Sequence, residues 1–87
     1  MKDLRFDQLG TLSVMLLAEN RRQIEKWGIQ DKDPMEWMCF ITEEVGELAA
    51  AIADYKYGRG PRQDIIKEAI QAATLCLKIA EMHLDHS

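Results

Sequence analysis

Glu43-Glu44-Val45-Gly46-Glu47 lies inside the longest apolar run of the chain, Trp37 to Tyr55, and sets three carboxylates within one and a half helical turns. Read at the helical period, Met38, Ile41, Val45, Leu48 and Ile52 fall on one face, which predicts a helix packed on that stripe. Glu36, Glu43, Glu47 and Asp54 line up on roughly the opposite side, and Glu44 falls between the two stripes, one turn from Glu47. No lysine or arginine interrupts this acidic line before Lys56. Solvated helices usually intersperse basic residues among their acids. The spacing therefore leaves two readings, an acidic face repelling itself in water or a set of ligands for a cation.

Working outward, the chain reads as three helices and no strand, because no segment alternates with a period of two. The first is expected from about Asp7 to Trp27, with Leu9, Leu12, Leu16, Ile24 and Trp27 near one stripe and Gly28 closing it. Asn20 and Gln23 interrupt that stripe, and inward polar residues need partners, either buried hydrogen bonds or a ligand. The second helix has the clearest start in the chain: Asp33 as N-cap, Pro34 at the first helical position and Glu36 completing a capping box. It is expected to run to about Tyr57, where Gly58 stops it. Gly60-Pro61 opens the third helix, which should reach about His83 with Ile65 or Ile66, Ala69, Ala73, Cys76 and Ala80 inward and Asp64, Glu68 and Gln71 along another edge. His83 and His86 near the end read as solvated.

With 87 residues the chain is one domain, 1–87. A domain this small buries only about 60% of its unfolded surface, so self-association is expected. Hydrophobic residues make up 47% and charged residues 30%, a globular balance that argues against disorder. The net charge of -4 argues against nucleic-acid polymers and membrane surfaces as partners, since both select basic fields. No apolar run reaches the length of a membrane span, and Met1-Lys2-Asp3-Leu4-Arg5 lacks the hydrophobic core of a secretory signal, so a cytoplasmic location is expected. Cys39 and Cys76 fall on different expected helices in apolar surroundings and read as buried, reduced thiols.

The chemistry follows from setting the second helix beside the third. A short connection favours antiparallel packing, which lets Glu44 and Glu47 converge with Glu68. Carboxylates at close range do not all stay ionised without a cation, and an all-oxygen set suits a hard divalent ion, magnesium rather than zinc. Gly46, within the acids, and Ala49 to Ala51 suggest close approach of another helix.

These residues carry a resemblance. Arg22-Gln23-Ile24-Glu25-Lys26-Trp27-Gly28-Ile29-Gln30, then Trp37, Glu43-Glu44-Val45-Gly46-Glu47 and Glu68-Ala69-Ile70-Gln71-Ala72-Ala73 resemble the MazG-like nucleotide pyrophosphohydrolases of the all-α NTP pyrophosphatase superfamily. The likeness covers about residues 21 to 81. Its signature is EExxE followed by ExxD, whose acids hold magnesium. Glu44 and Glu47 match the metal ligands of the first part, Glu43 the acid before them, and Glu68 opens the second. Gln71 stands where that pattern has aspartate, which removes a charge; its amide oxygen remains a weaker ligand, and Asp64, one turn before Glu68, is placed to restore the charge.

The resemblance implies a magnesium-dependent enzyme, with manganese as a substitute, that cleaves nucleoside triphosphates between the α and β phosphates to a monophosphate and pyrophosphate, an activity suited to clearing abnormal nucleotides. It implies Glu44, Glu47, Glu68 and Gln71 as the metal set and Glu43 as the residue that orients water or supports the ligands. Trp27 beside Gln23 and Gln30 is the candidate base platform, and Trp37 claims the same role on equal grounds. Lys26, Lys56, Arg59, Arg62 and Lys67 are candidates for phosphate. The resemblance also implies a homodimer or homotetramer in which helices of different chains complete a four-helix-type bundle. A second reading is a non-catalytic helical module, degenerate at Gln71, that serves oligomerisation or nucleotide binding.

Overall fold

The computed structural model describes residues 3–5 and 7–84, and these form an all-helical fold. The helices are α1 (Leu9–Trp27), α2 (Pro34–Lys56) and α3 (Arg62–Leu84). Their number and order agree with the sequence reading, and among the described residues no strand is present. His86 lies outside the described residues.

Local chemistry sets the helix ends. At the end of α1, Gly28 adopts φ 74° and its N–H donates to the Ile24 carbonyl at 2.7 Å, a left-handed stop that a side chain would strain. The capping box at the start of α2 is present in full. Asp33 Oδ1 accepts the Glu36 N–H at 2.9 Å, and Glu36 Oε1 accepts the Asp33 N–H at 3.3 Å. Gly58, at φ 73°, turns the chain after α2, and the Arg59 N–H donates to the Asp54 carbonyl at 2.7 Å. At the other end of α3, His83 Nδ1 lies 2.8 Å from the Ile79 carbonyl, which satisfies the ring locally.

α3 is the central element and packs on both α2 and α1, whereas α1 and α2 do not pack on each other. Residues early in α2 meet residues late in α3: Trp37 and Ile41 pack with Leu75, and Ile79 and Met82 extend that cluster. Farther along α2, Glu44 faces Gln71 and Glu68. This order makes α2 and α3 antiparallel, as the short connection requires.

The helical phases differ from those expected. On α2 the inward stripe is Trp37, Ile41, Glu44, Leu48 and Ala51, while Met38, Val45 and Ile52 are exposed. α2 is apolar around most of its circumference, so periodicity alone does not fix which face meets α3. On α1 the inward residues are Leu12, Met15, Leu16, Glu19, Asn20 and Gln23, and the expected inward Leu9, Ile24 and Trp27 are exposed. α3, gripped from two sides, buries Ala72, Thr74 and Leu75 and exposes Cys76 and Ala80. Thr74 is accommodated because its hydroxyl donates to the Ile70 carbonyl at 2.8 Å.

Two further expectations are corrected. Cys39 and Cys76 are free thiols, but both are exposed, because each is rotated off the packed stripe past Trp37 or Leu75. Among the described residues no other helix of the same chain approaches Gly46: a Cβ there would meet nothing within 4 Å, and of Ala49 to Ala51 only Ala51 is buried. No helix among the described residues is long and apolar enough to cross a membrane.

Candidate metal centre and adjoining cavity

The α2–α3 packing brings together the acids that the sequence singled out. One carboxylate oxygen from each of Glu44, Glu47 and Glu68 lies within 4.8 Å of the others. Glu44 and Glu68 are half-buried between the helices and Glu47 is exposed at the edge. Glu44 sits on the buried stripe itself rather than between two stripes, and pays the cost of that position in its ionisation. Burial, first, then a hydrogen bond shared with Glu68 and the charges of Glu47 and Glu68, push its carboxyl up to about 7. Near neutral pH the Glu44 carboxyl is therefore partly protonated.

Gln71 joins the same cluster. With its amide nitrogen toward the acids, the orientation that satisfies both sides, it donates to Glu68 Oε2 at 3.0 Å and to Glu44 Oε2 at 3.1 Å. A glutamine here bridges two carboxylates as a neutral donor, a service an ionised aspartate cannot perform. Asp64, an exposed residue near the α2–α3 turn, is not one of the acids that approach each other. The charge missing at Gln71 is thus not restored from Asp64. The donor set is all oxygen, the ligand chemistry of a hard divalent ion.

The remaining members of the acidic line serve elsewhere. Glu36 is engaged in the capping box, and Asp54 Oδ1 pairs with Arg59 Nη2 at 3.3 Å. Glu43 is exposed and stands apart from the three clustered acids, on the wall of an adjoining cavity.

That cavity, of about 590 Å³, opens between the end of α1, the start of α2 and the second half of α3. Gln23, Trp27, Gln30, Trp37, Glu43, Glu44 and Gln71 all line it, so seven of the ten candidate site residues share one space, with Asn20 beside them; the other three, Lys26, Glu47 and Glu68, do not line it. The two tryptophans differ in character. Trp37 is 6% exposed and belongs to the core cluster, whereas Trp27 is 52% exposed, with Lys26 Nζ 4.6 Å and the Arg22 guanidinium 5.7 Å from its ring. Gln23 is buried, and its amide donates to Glu19 Oε2 at 2.7 Å.

Of the proposed phosphate contacts, Lys67 is the one beside the acids, with Nζ 3.9 Å from Glu68 Oε1. Lys56 and Arg59 stack on Tyr57 at the distant turn. The cavity supplies cations that sequence reasoning passed over. Arg22 is held by Glu19 through two hydrogen bonds, Nε to Oε1 at 2.9 Å and Nη2 to Oε2 at 2.8 Å. These bonds offset the burial of Glu19 and hold its carboxyl below the ordinary range. Lys78 is half-buried, with Nζ 5.2 Å over the Trp37 ring; burial lowers its pKa against the opposing pull of Glu19 and Glu81. The signal for Lys78 was its position two helical turns beyond Gln71, on the same face of α3.

Comparison with protein-family models, curated proteins and solved structures gave no match to this chain.

Proposed function

We propose that the protein is a magnesium-dependent nucleoside triphosphate pyrophosphohydrolase of the MazG-like kind. The observation that carries this reading is the convergence of Glu44, Glu47 and Glu68 beside a cavity walled by Trp27, Gln30 and Glu43. Glu44, Glu47 and Glu68 would hold the ion, with the Gln71 amide oxygen available once the amide turns over. Magnesium held there would supply charge neutralisation for the substrate phosphates.

The chain's own residues account for the rest. Trp27 presents an exposed indole for the base, and Gln30 offers polar groups to base edges. Glu43, exposed on the cavity wall, orients the attacking water and accepts its proton. Water adds at the α phosphorus as the α–β bond breaks, and the products are a nucleoside monophosphate and pyrophosphate. The protein works as a homodimer or homotetramer, a reading supported by exposed apolar residues such as Val14, Leu17 and Val45.

A second reading is favoured by one observation: the Gln71 amide, a neutral donor, bridges Glu44 and Glu68. In that reading the protein is a non-catalytic module that binds nucleotides or assembles with itself. Incubation of purified protein with magnesium and a panel of nucleoside triphosphates separates the two. Release of pyrophosphate supports the enzyme, and its absence with intact magnesium binding supports the module.

A further inference from the structure

The cavity beside the acids has an unusual distribution of charge. Glu43 and Glu44 lie on its α2 wall, and Asp31 and Glu81 also line it, so a bare anion is repelled there; of its cations, Arg22 and Lys32 come from α1 and the loop after it, and Lys78 is the one on α3. Among the described residues Lys78 makes no ion pair, in contrast to Arg22, Arg59 and Lys67, each of which has a carboxylate partner. Its Nζ instead rests 5.2 Å over the ring of Trp37, a buried aromatic that fixes where the charge points. Lys78 follows Gln71 by seven residues on one face of α3, which sets the two about 10 Å apart along the helix axis. A phosphate chain held at the acid cluster by its cation has room to extend toward Lys78, and an exposed indole, Trp27, lines the same cavity. A ligand anionic along one part and flat and aromatic at another meets all three features.

We infer that Lys78 is a phosphate-binding residue of this cavity, its ammonium donating to phosphate oxygens of a polyphosphate-bearing ligand. The inference rests on the nucleotide reading for the identity of the ligand, but not on turnover. Glu19 and Glu81 act on this ammonium without closing an ion pair, and a half-buried ammonium in that position gains more from a phosphate than a solvated one does, because less of the charge is screened.

Inorganic tripolyphosphate tests this without a base and without hydrolysis of a nucleotide. The chain has two tryptophans, so Trp27→Phe leaves Trp37, beneath Lys78, as the sole fluorescent indole. Titration of that protein with tripolyphosphate, with and without magnesium, is expected to change its emission saturably. Lys78→Met should weaken the affinity about tenfold or more, and Lys78→Arg should keep most of it. Should Lys78→Met melt below the assay temperature, Lys78→Gln replaces it, with the same expectation. Equal affinity in wild type and the neutral variant, or no binding of tripolyphosphate to wild type, overturns the inference. Magnesium calorimetry on the same proteins reports on the acid cluster separately. Unchanged heats with lost tripolyphosphate binding place the defect at Lys78, whereas absent heats in every protein count against the metal reading alone.

Discussion

Glu44 and Gln71 face each other across the α2–α3 interface, with the Gln71 amide nitrogen 3.1 Å from Glu44 Oε2. The same amide reaches Glu68, so one neutral side chain holds together two carboxylates that would otherwise repel. In the metal-free protein Gln71 does part of what a cation would do, and it has to release both acids when a cation arrives. Gln71→Asp is therefore expected to act in opposite directions on the two states. The metal-free fold should melt at a lower temperature, because a third or fourth negative charge enters the cluster, while magnesium should bind more tightly. Thermal melts in chelator, set beside magnesium calorimetry, check both directions, and a variant that moves neither would remove Gln71 from the cluster.

The raised pKa of Glu44 makes stability depend on pH with a definite sign. Folding lifts this carboxyl from its ordinary 4.5 to about 7, so the folded chain holds the proton more tightly than the unfolded chain. Its stabilising contribution is full below the ordinary value and is lost as pH rises through about 7. The melting temperature in chelator should fall across that window, and Glu44→Gln should flatten the fall. Magnesium competes with the same proton, so its affinity should rise with pH over the window and its binding heat should vary with buffer ionisation enthalpy.

The two tryptophans should separate cleanly in mutagenesis. Trp37 is in the core with Ile41 and Leu75, and Trp37→Ala is expected to cost about 3–5 kcal/mol, enough to unfold much of so small a domain. Trp27 is half-exposed at the end of α1, and its loss should change stability by no more than about 1 kcal/mol while weakening nucleotide binding. Denaturant melts and fluorescence titrations on both variants read this directly. A Trp27→Ala protein that unfolds like Trp37→Ala would make Trp27 a structural residue.

These residues also show what the sequence made legible. Helix ends are local events, and the Asp33–Glu36 box and the Gly28 stop could be read from a few neighbouring letters because the chemistry that makes them spans one turn. The convergence of Glu44, Glu47 and Glu68 was legible too, since antiparallel packing over a short turn follows from the chain's connectivity. Helical phase was not. Met38, Val45 and Ile52 are as apolar as Ile41 and Leu48, and what selects the inward face of α2 is the surface that α3 presents, Leu75 at one end and the polar Glu68 and Gln71 farther along. Glu44 turned inward for that reason, and Cys39 and Cys76 turned outward. Lys78 escaped notice because a lone lysine looks like a solvated charge until the Trp37 ring beneath it is seen.

Exposed apolar side chains give the assembly prediction. Val14 and Leu17 on α1 are 65% and 70% exposed, and Val45 and Ile52 on α2 are about half-exposed, so an isolated chain leaves two helices with uncovered apolar residues. A dimer or larger assembly is expected at micromolar concentration, and Leu17→Glu or Val45→Glu should shift it toward monomer. Sedimentation velocity on the three proteins measures this, and a wild type that sediments as a stable folded monomer would contradict it.

Glu47 offers the test that decides between a metal centre and an acidic surface. It is the exposed member of the cluster, so Glu47→Gln removes one charge with little change in packing. If the cluster holds magnesium, loss of this ligand should abolish nearly all pyrophosphate release and weaken magnesium binding. The metal-free fold should be as stable as wild type or more so, because Glu44 and Glu68 lose a repelling neighbour. In wild type, magnesium should raise the melting temperature, since an ion that binds only the folded chain stabilises it by mass action, and in Glu47→Gln the rise should shrink. A solvated acidic surface gives a different pattern: the same calorimetric heats in wild type and variant, no magnesium-dependent rise in either, and no activity to lose. Melting curves with and without magnesium, together with pyrophosphate release, distinguish the two outcomes in a single pair of proteins.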